Sequence, residues 1–205
     1  MKKDNSGNWF YKLEKLHPYK TLLYLGMFGS GLIFLFLAIA FMASQDSPDM
    51  YEKFNLPQSF IVSSMFLVAS AYTSTKILPN FLMNSLAKTK RFLTGTLMLG
   101  LAFSGFQFLG WRELTTIGVD FTGLPSGSFL YVLSGIHLFH LIGAMIYALV
   151  LIIQIQKSEN DQVKSLILLS NPYEKMKLDL FSVYWKFMDL VWIVLFILFI
   201  WMFHF

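Results

Sequence analysis

The sequence contains no cysteine and few charged residues. The missing cysteines exclude a disulfide framework, thiolate-bound zinc or iron–sulfur sites, and a cysteine nucleophile. Charged residues make up 14% of the 205-residue chain, whereas a soluble domain carries about 25%. This shortage indicates that much of the protein surface faces something other than water.

Long apolar segments account for the low charge. A helix that rises about 1.5 Å per residue needs about 20 residues to cross a hydrocarbon layer of about 30 Å. Five segments are long enough: residues 21–43, 57–78, 92–111, 128–156 and 182–205. Backbone in lipid must satisfy its own hydrogen bonds, so we predict helices. The expected fold is an all-α polytopic bundle with five transmembrane helices (residues 21–205), preceded by an N-terminal arm (residues 1–20).

The basic residues indicate how the bundle is oriented. Fourteen of the sixteen Lys and Arg residues lie in the N-terminal arm, in the second-to-third and fourth-to-fifth connections, or at their edges. The opposite side holds only Lys53 and Arg112. Since basic residues concentrate on the cytoplasmic side, we predict a cytoplasmic N-terminus and a periplasmic C-terminus. The connection formed by residues 157–181 is long enough for a short interfacial helix.

Few polar side chains fall within the predicted spans, and such groups are functional candidates because they are costly in lipid. His137 and His140 share one face of the fourth helix, and Asp189 lies in the fifth. At about 1.5 Å per residue, His140 and Asp189 lie about 18 and 20 Å below the outer boundary. We therefore expect a buried polar cluster in which Asp189 pairs with His140 or, as a second choice, with His137.

The remaining sequence lacks catalytic patterns. His17 and His204 lie too far from the first histidine pair in depth to complete a heme or metal site. There is no phosphate-binding loop, metalloprotease motif or nucleophile elbow, and the basic residues follow membrane topology rather than a nucleic-acid surface. We therefore expect a non-catalytic membrane subunit without a metal or cofactor of its own. A heme- or quinone-binding membrane anchor and a small transporter remain as alternatives.

Three motifs, in order along the chain, resemble those of the heme–copper oxidase subunit III family. The first surrounds Gln107 and Trp111, in Phe106-Gln-Phe-Leu-Gly-Trp-Arg-Glu-Leu114. The second is Gly127-Ser128, followed by Gly135, His137, His140 and Gly143. The third is Tyr184-Trp185-Lys186-Phe187-Met188-Asp189-Leu190-Val191-Trp192.

The resemblance implies a partnership. Subunit III of this family carries no redox centre; it packs against the heme–copper subunit I, supports its proton uptake and stability, and binds phospholipid. Subunit II is a second expected partner, and a respiratory supercomplex a further one. The complex reduces oxygen to water in the bacterial inner membrane and pumps protons, with hemes and copper in the partner subunits. We expect cytochrome c as electron donor, with a quinol oxidase as the alternative.

The chain departs from the family pattern at two places. Longer members have seven helices, and this chain has only the last five. The family often has an intramembrane Ser-Glu pair in the helix that aligns with residues 21–43, where this chain has Ser30-Gly31. Gly31 lies about 15 Å into the membrane, close to the depth of the two histidines.

The missing carboxylate gives a chemical prediction. A hydrophobic carbodiimide should leave the first helix unlabelled, because Gly31 offers no carboxylate to react. Mass spectrometry of the treated protein measures this, with a Gly31→Glu variant as positive control. Failure of the Gly31→Glu variant to react would contradict the alignment, since residues 21–43 hold no other carboxylate.

Overall fold

A computed structural model describes residues 17–44 and 56–204. The predicted arm lysines before residue 17, together with Lys53, lie outside the described residues. The described part contains no strand. Its helices are α1 (Pro18–Ala43), α2 (Gln58–Thr75), α3 (Ile77–Leu82), α4 (Leu86–Thr116), α5 (Pro125–Glu159), α6 (Gln162–Ser170) and α7 (Pro172–His204).

Five helical segments in the described residues are long and apolar enough to cross a membrane, which confirms the predicted all-α polytopic fold. α2 and α3 together form the second of these segments, Gln58–Leu82. The helices extend past the predicted apolar limits, most clearly at α7, which begins ten residues before the predicted residue 182. Helices need not end where hydrocarbon ends, since water and headgroups solvate their polar outer turns.

A proline separates α2 from α3. Pro79 has no N–H to donate to the carbonyl of Thr75, and its ring crowds that carbonyl, so the α-helical ladder is interrupted at Lys76. The chain resumes as a helix in which Pro79 lies in the first turn, where no such donor is required.

Two tight turns share one type of helix ending. After α3, the N–H groups of Asn84 and Ser85 bond to the carbonyls of Phe81 (2.9 Å) and Asn80 (3.1 Å), and Asn84 adopts a φ of 56°. After α4, Gly118 has a φ of 87° and occupies the equivalent place. These bond patterns are Schellman motifs, which stop a helix by satisfying its last carbonyls.

The helix in the fourth-to-fifth connection has its own N-terminal cap. The Asp161 carboxylate accepts hydrogen bonds from the backbone N–H groups of Lys164 (3.3 Å) and Val163 (2.9 Å). These bonds, with that of Lys164 first, hold the pKa of Asp161 below its usual range. They start α6 within the connection where the sequence predicts a short helix.

Ion pairs join the basic connections at one end of the bundle. Lys20 at the start of α1 bonds to Asp179 of α7 at 2.9 Å. Lys90 of α4 pairs with Glu159 at the end of α5. The basic connections therefore share one end of the bundle, as the sequence predicts.

Aromatic side chains fill the bundle centre, and glycines let them approach neighbouring helices. Trp185 and Trp192 of α7 are fully buried. A Cβ atom on Gly100 would lie 2.9 Å from the Trp185 ring, and one on Gly110 would lie 2.5 Å from the ring of buried Phe60. α4 packs closely against α2, and the Trp185 ring of α7 reaches the α4 backbone, because α4 has no side chain at these two positions.

The close approach at Gly110 predicts a large effect from a small substitution. Gly110→Ala should destabilise the protein by about 1–3 kcal/mol, because the methyl group overpacks a ring that has no free space. Thermal unfolding in detergent measures the change. Gly105→Ala on the same helix is the matched control, since a Cβ there meets nothing within 4 Å. Equal stability of the two variants would contradict the packing described.

Candidate functional site

A row of hydroxyl side chains on α2 organises the buried polar groups. Ser63 and Ser64 both donate to the Phe60 carbonyl of their own helix at 2.8 Å. Each hydroxyl oxygen can then accept from a neighbouring helix. Gln107 Nε2 of α4 donates to Ser63 at 2.7 Å, and Trp192 Nε1 of α7 donates to Ser64 at 2.9 Å.

The same row continues along α2 in both directions. Ser70 donates to the Leu67 carbonyl at 2.8 Å and accepts from Trp185 Nε1 at 3.0 Å. Thr73 shares a 2.8 Å hydrogen bond with Thr96 of α4, and Ser59 bonds to Glu113 at the other end. We call Ser59, Ser63, Ser64, Ser70 and Thr73 the hydroxyl row. It ties α2 to both α4 and α7.

The motif residues near the start of α5 have structural contacts. Trp111 Nε1 donates to Ser134 at 3.0 Å, and a Cβ on Gly135 would be 3.9 Å from the Trp111 ring. Ser128 donates to the Phe121 carbonyl at 2.7 Å. A Cβ on Gly127 would lie 2.6 Å from Val119. These contacts fix the turn that leads into α5.

His137 is fully buried among aromatic rings. Its ring centroid lies 5.0 Å from that of Trp192, 5.6 Å from Phe103 and 6.4 Å from Phe34. Neither ring nitrogen has a hydrogen-bond partner among the described residues. His137 thus packs as an aromatic ring at the centre of the bundle.

His140 has a different environment one turn away. It is half-buried, and its Nδ1 donates to the Ile136 carbonyl at 2.8 Å. Its ring centroid lies 5.8 Å from that of Phe34, so this histidine faces α1.

The predicted pairing of Asp189 with a histidine is wrong. Asp189 Oδ1 lies 3.4 Å from the Ser70 hydroxyl oxygen, whose single proton is shared with the closer Leu67 carbonyl, and Oδ2 has no hydrogen-bond partner among the described residues. Depth along a helix says nothing about direction around it. Asp189 lies on the same face of α7 as Trp185 and Trp192, and this face packs against α2. His140 faces α1 instead.

Sequence reasoning did not identify the hydroxyl row as a set of hydrogen-bonding groups. The available signal was the density of hydroxyl side chains in one apolar helix: α2 contains five serines and two threonines within Gln58–Thr75. Such residues bond across helices in lipid.

Tyr184, the first residue of the third motif, lines a groove and does not contact the hydroxyl row. The groove has a volume of about 680 Å³ and lies between α1, α5 and α7. Within residues 17–44 and 56–204, no three His, Asp or Glu side chains come together in a way that could hold a metal ion.

Comparisons with known proteins give two informative relatives. The chain is 32% identical over 146 residues to the "Probable quinol oxidase subunit 3" of Staphylococcus aureus (strain USA300), a match that covers 71% of this chain and 67% of that protein. It is 28% identical over 178 residues to the "Cytochrome c oxidase subunit 3" of Bacillus sp. (strain PS3), covering 85% and 80%. No protein-family model matches.

The bond between Gln107 and Ser63 gives a test of the hydroxyl row. Ser63→Ala should destabilise the protein by about 1–2 kcal/mol, because it leaves the buried Gln107 amide without its acceptor. Ser63→Ala in a Gln107→Leu background should cost measurably less. Unfolding of the four proteins in detergent gives the coupling energy, and additive effects would show that the bond contributes nothing.

Proposed function

The chain belongs to the heme–copper oxidase subunit III family, and from this membership we propose that it packs against subunit I of a proton-pumping terminal oxidase. It is a subunit of an oxidoreductase complex, as are the relatives named above. Subunit II is its second proposed partner. Its proposed contribution is to support proton uptake and stability in subunit I, which holds the hemes and copper.

The observation that carries this proposal is the use of the buried polar side chains. Trp185, Trp192 and Gln107 each donate a hydrogen bond to a hydroxyl of α2. Groups that serve catalysis or transport must remain free to meet a substrate or ion. These donors are already used to hold helices together, which favours a structural role for the chain.

The motif residues and the buried polar cluster receive proposed roles on the same basis. We assign Gln107, Trp111, Trp185 and Trp192 to interhelical bonding and Gly127, Ser128 and Gly135 to the start of α5. We propose packing roles for His137, whose ring lies among aromatic side chains, and for His140, which faces α1, and we propose that Asp189 contacts α2 at Ser70.

The proposed location is the bacterial inner membrane, with the basic end of the bundle in the cytoplasm. The positive-inside rule supports this orientation. Large apolar side chains are exposed along the spans, for example Phe28, Phe36 and Phe139. Phospholipid and partner helices are the proposed neighbours of these surfaces, and a respiratory supercomplex would provide further ones.

The proposed electron donor of the complex is cytochrome c, and the longer of the two matches, to the Bacillus protein, supports it. A quinol is the second candidate, favoured by the higher identity to the Staphylococcus protein. The two differ in subunit II, because only a cytochrome c oxidase needs a copper pair there.

Co-purification tests the proposed function. A tag on this chain should retain a larger heme-bearing chain from detergent-solubilised membranes, detected by its absorption spectrum and by mass spectrometry. The recovered complex should consume oxygen with reduced cytochrome c and show the signal of a copper pair.

The control is the same purification from cells with the untagged chain. Oxygen consumption with a quinol alone, without a copper-pair signal, would show that the electron donor is a quinol rather than cytochrome c. Recovery of the tagged chain without any heme protein would contradict the proposed role.

A further inference from the structure

The groove between α1, α5 and α7 has the size of a small-molecule site. Its volume of about 680 Å³ lies within the range of about 300–1,000 Å³ that is usual for such sites. One face of α1 lines it from Tyr19 to Ser30, a distance of about 16 Å along the helix. The groove therefore runs from the basic end of the bundle toward its middle.

Two glycines create part of this space. Gly26 of α1 and Gly143 of α5 line the groove, and a Cβ atom on either would meet nothing within 4 Å. The space beside them is open rather than filled by a neighbouring helix. A flat ring or a branched chain can therefore approach the backbone of both helices.

The deep end of the groove presents two hydrogen-bond acceptors. His140 donates from Nδ1 to the Ile136 carbonyl at 2.8 Å. Because a carbonyl can only accept, Nδ1 carries a proton, and in the neutral imidazole Nε2 is left as an acceptor. Ser30 donates its hydroxyl proton to the Met27 carbonyl at 3.1 Å, so its oxygen can only accept as well.

These acceptors select the chemistry of a ligand. A hydrocarbon chain offers no donor and would leave His140 Nε2 unpaired in the membrane. A quinone offers carbonyl oxygens, whose lone pairs would face those of Nε2. A hydroquinone offers two O–H donors. The hydroxyls of Tyr147 and Tyr184, which also line the groove, can rotate to suit either form and so do not discriminate.

The mouth of the groove does not favour an anionic lipid. Lys177 is the only lysine among the described residues that line the groove, and its ammonium group is already bonded to Glu174 at 2.8 Å. The same group lies 4.8 Å from the centroid of the Tyr173 ring. With this charge paired, the described residues at the mouth offer aromatic rings rather than a free cation.

We propose that this groove binds a membrane hydroquinone, with a ligand O–H donating to His140 Nε2, and that it binds the reduced form in preference to the quinone. The proposal goes beyond the role of the chain as an accessory subunit. It rests on residues of this chain alone and holds for either electron donor of the complex.

Equilibrium dialysis of the purified oxidase complex tests the proposal. The probes are decylubiquinol, with the complex anaerobic and reduced by dithionite, and decylubiquinone with the oxidised complex. The unsubstituted complex should bind the quinol at least about ten-fold more tightly at this site, since each hydrogen bond changes affinity about 3- to 10-fold.

Variants assign the binding to this groove. His140→Leu should weaken quinol binding about 3- to 10-fold and leave quinone binding unchanged, since it removes one acceptor. Ser30→Ala, a smaller change, should act in the same direction and provides the test if His140→Leu does not assemble. Gly143→Leu should abolish the site by filling it.

Gly105→Leu is the matched control. It lies on α4, its Cβ also meets nothing within 4 Å, and it does not line the groove. Quinone sites on partner subunits would contribute equally to all variants, so only the differences count. Binding of quinone as tight as quinol would overturn the proposal, and so would quinol binding that His140→Leu and Ser30→Ala leave unchanged. It would also be overturned if dioleoylphosphatidylglycerol displaced the quinol with an affinity insensitive to His140→Leu, which would make this a lipid groove.

Discussion

The structure depends on the requirement that polar groups within hydrocarbon be satisfied inside the protein. The hydroxyl row of α2 meets this requirement because one hydroxyl group can take part in two hydrogen bonds, one as donor and one as acceptor. Ser63, Ser64 and Ser70 each donate to a carbonyl of their own helix, and each oxygen then accepts from α4 or α7. Tryptophan can therefore lie at the centre of the bundle, because the indole N–H has a partner at each buried position. Aromatic packing and hydrogen bonding are satisfied by the same contacts.

Much of the fold was predictable because membrane thickness limits the possible answers. Five apolar segments of sufficient length specify five helices, and the distribution of lysines groups the connections at one end. The helix limits were less accessible: α4 begins at Leu86 and ends at Thr116, while the apolar segment covers residues 92–111. Hydropathy measures contact with lipid, whereas a helix continues as long as its backbone bonds and capping residues allow.

The sequence predicted which polar residues lie inside the bundle, but not which residues bond to each other. His137 and Asp189 are buried, as an intramembrane polar residue should be, yet Asp189 pairs with neither His140, its expected partner, nor His137, the second choice. Their depth follows from counting residues, but their direction depends on how each helix is rotated within the bundle. That rotation is set by the packing of Trp185 and Trp192 against α2, which no count along one helix contains. The motifs identified the family correctly because they contain the residues that make these contacts. They do not show which residue contacts which.

The break at Lys76 divides the second span into α2, which carries the bonded hydroxyls, and α3, which leads into the turn before α4. The hydroxyl row lies entirely before the break, and the turn at Asn84 lies after it. A continuous helix would transmit any rotation of the basic connection to the bonded serines, one hundred degrees for each residue inserted or lost. With the ladder interrupted by Pro79, such changes can be absorbed at the joint. A change in the connection between α3 and α4 therefore need not rotate the bonded serines of α2.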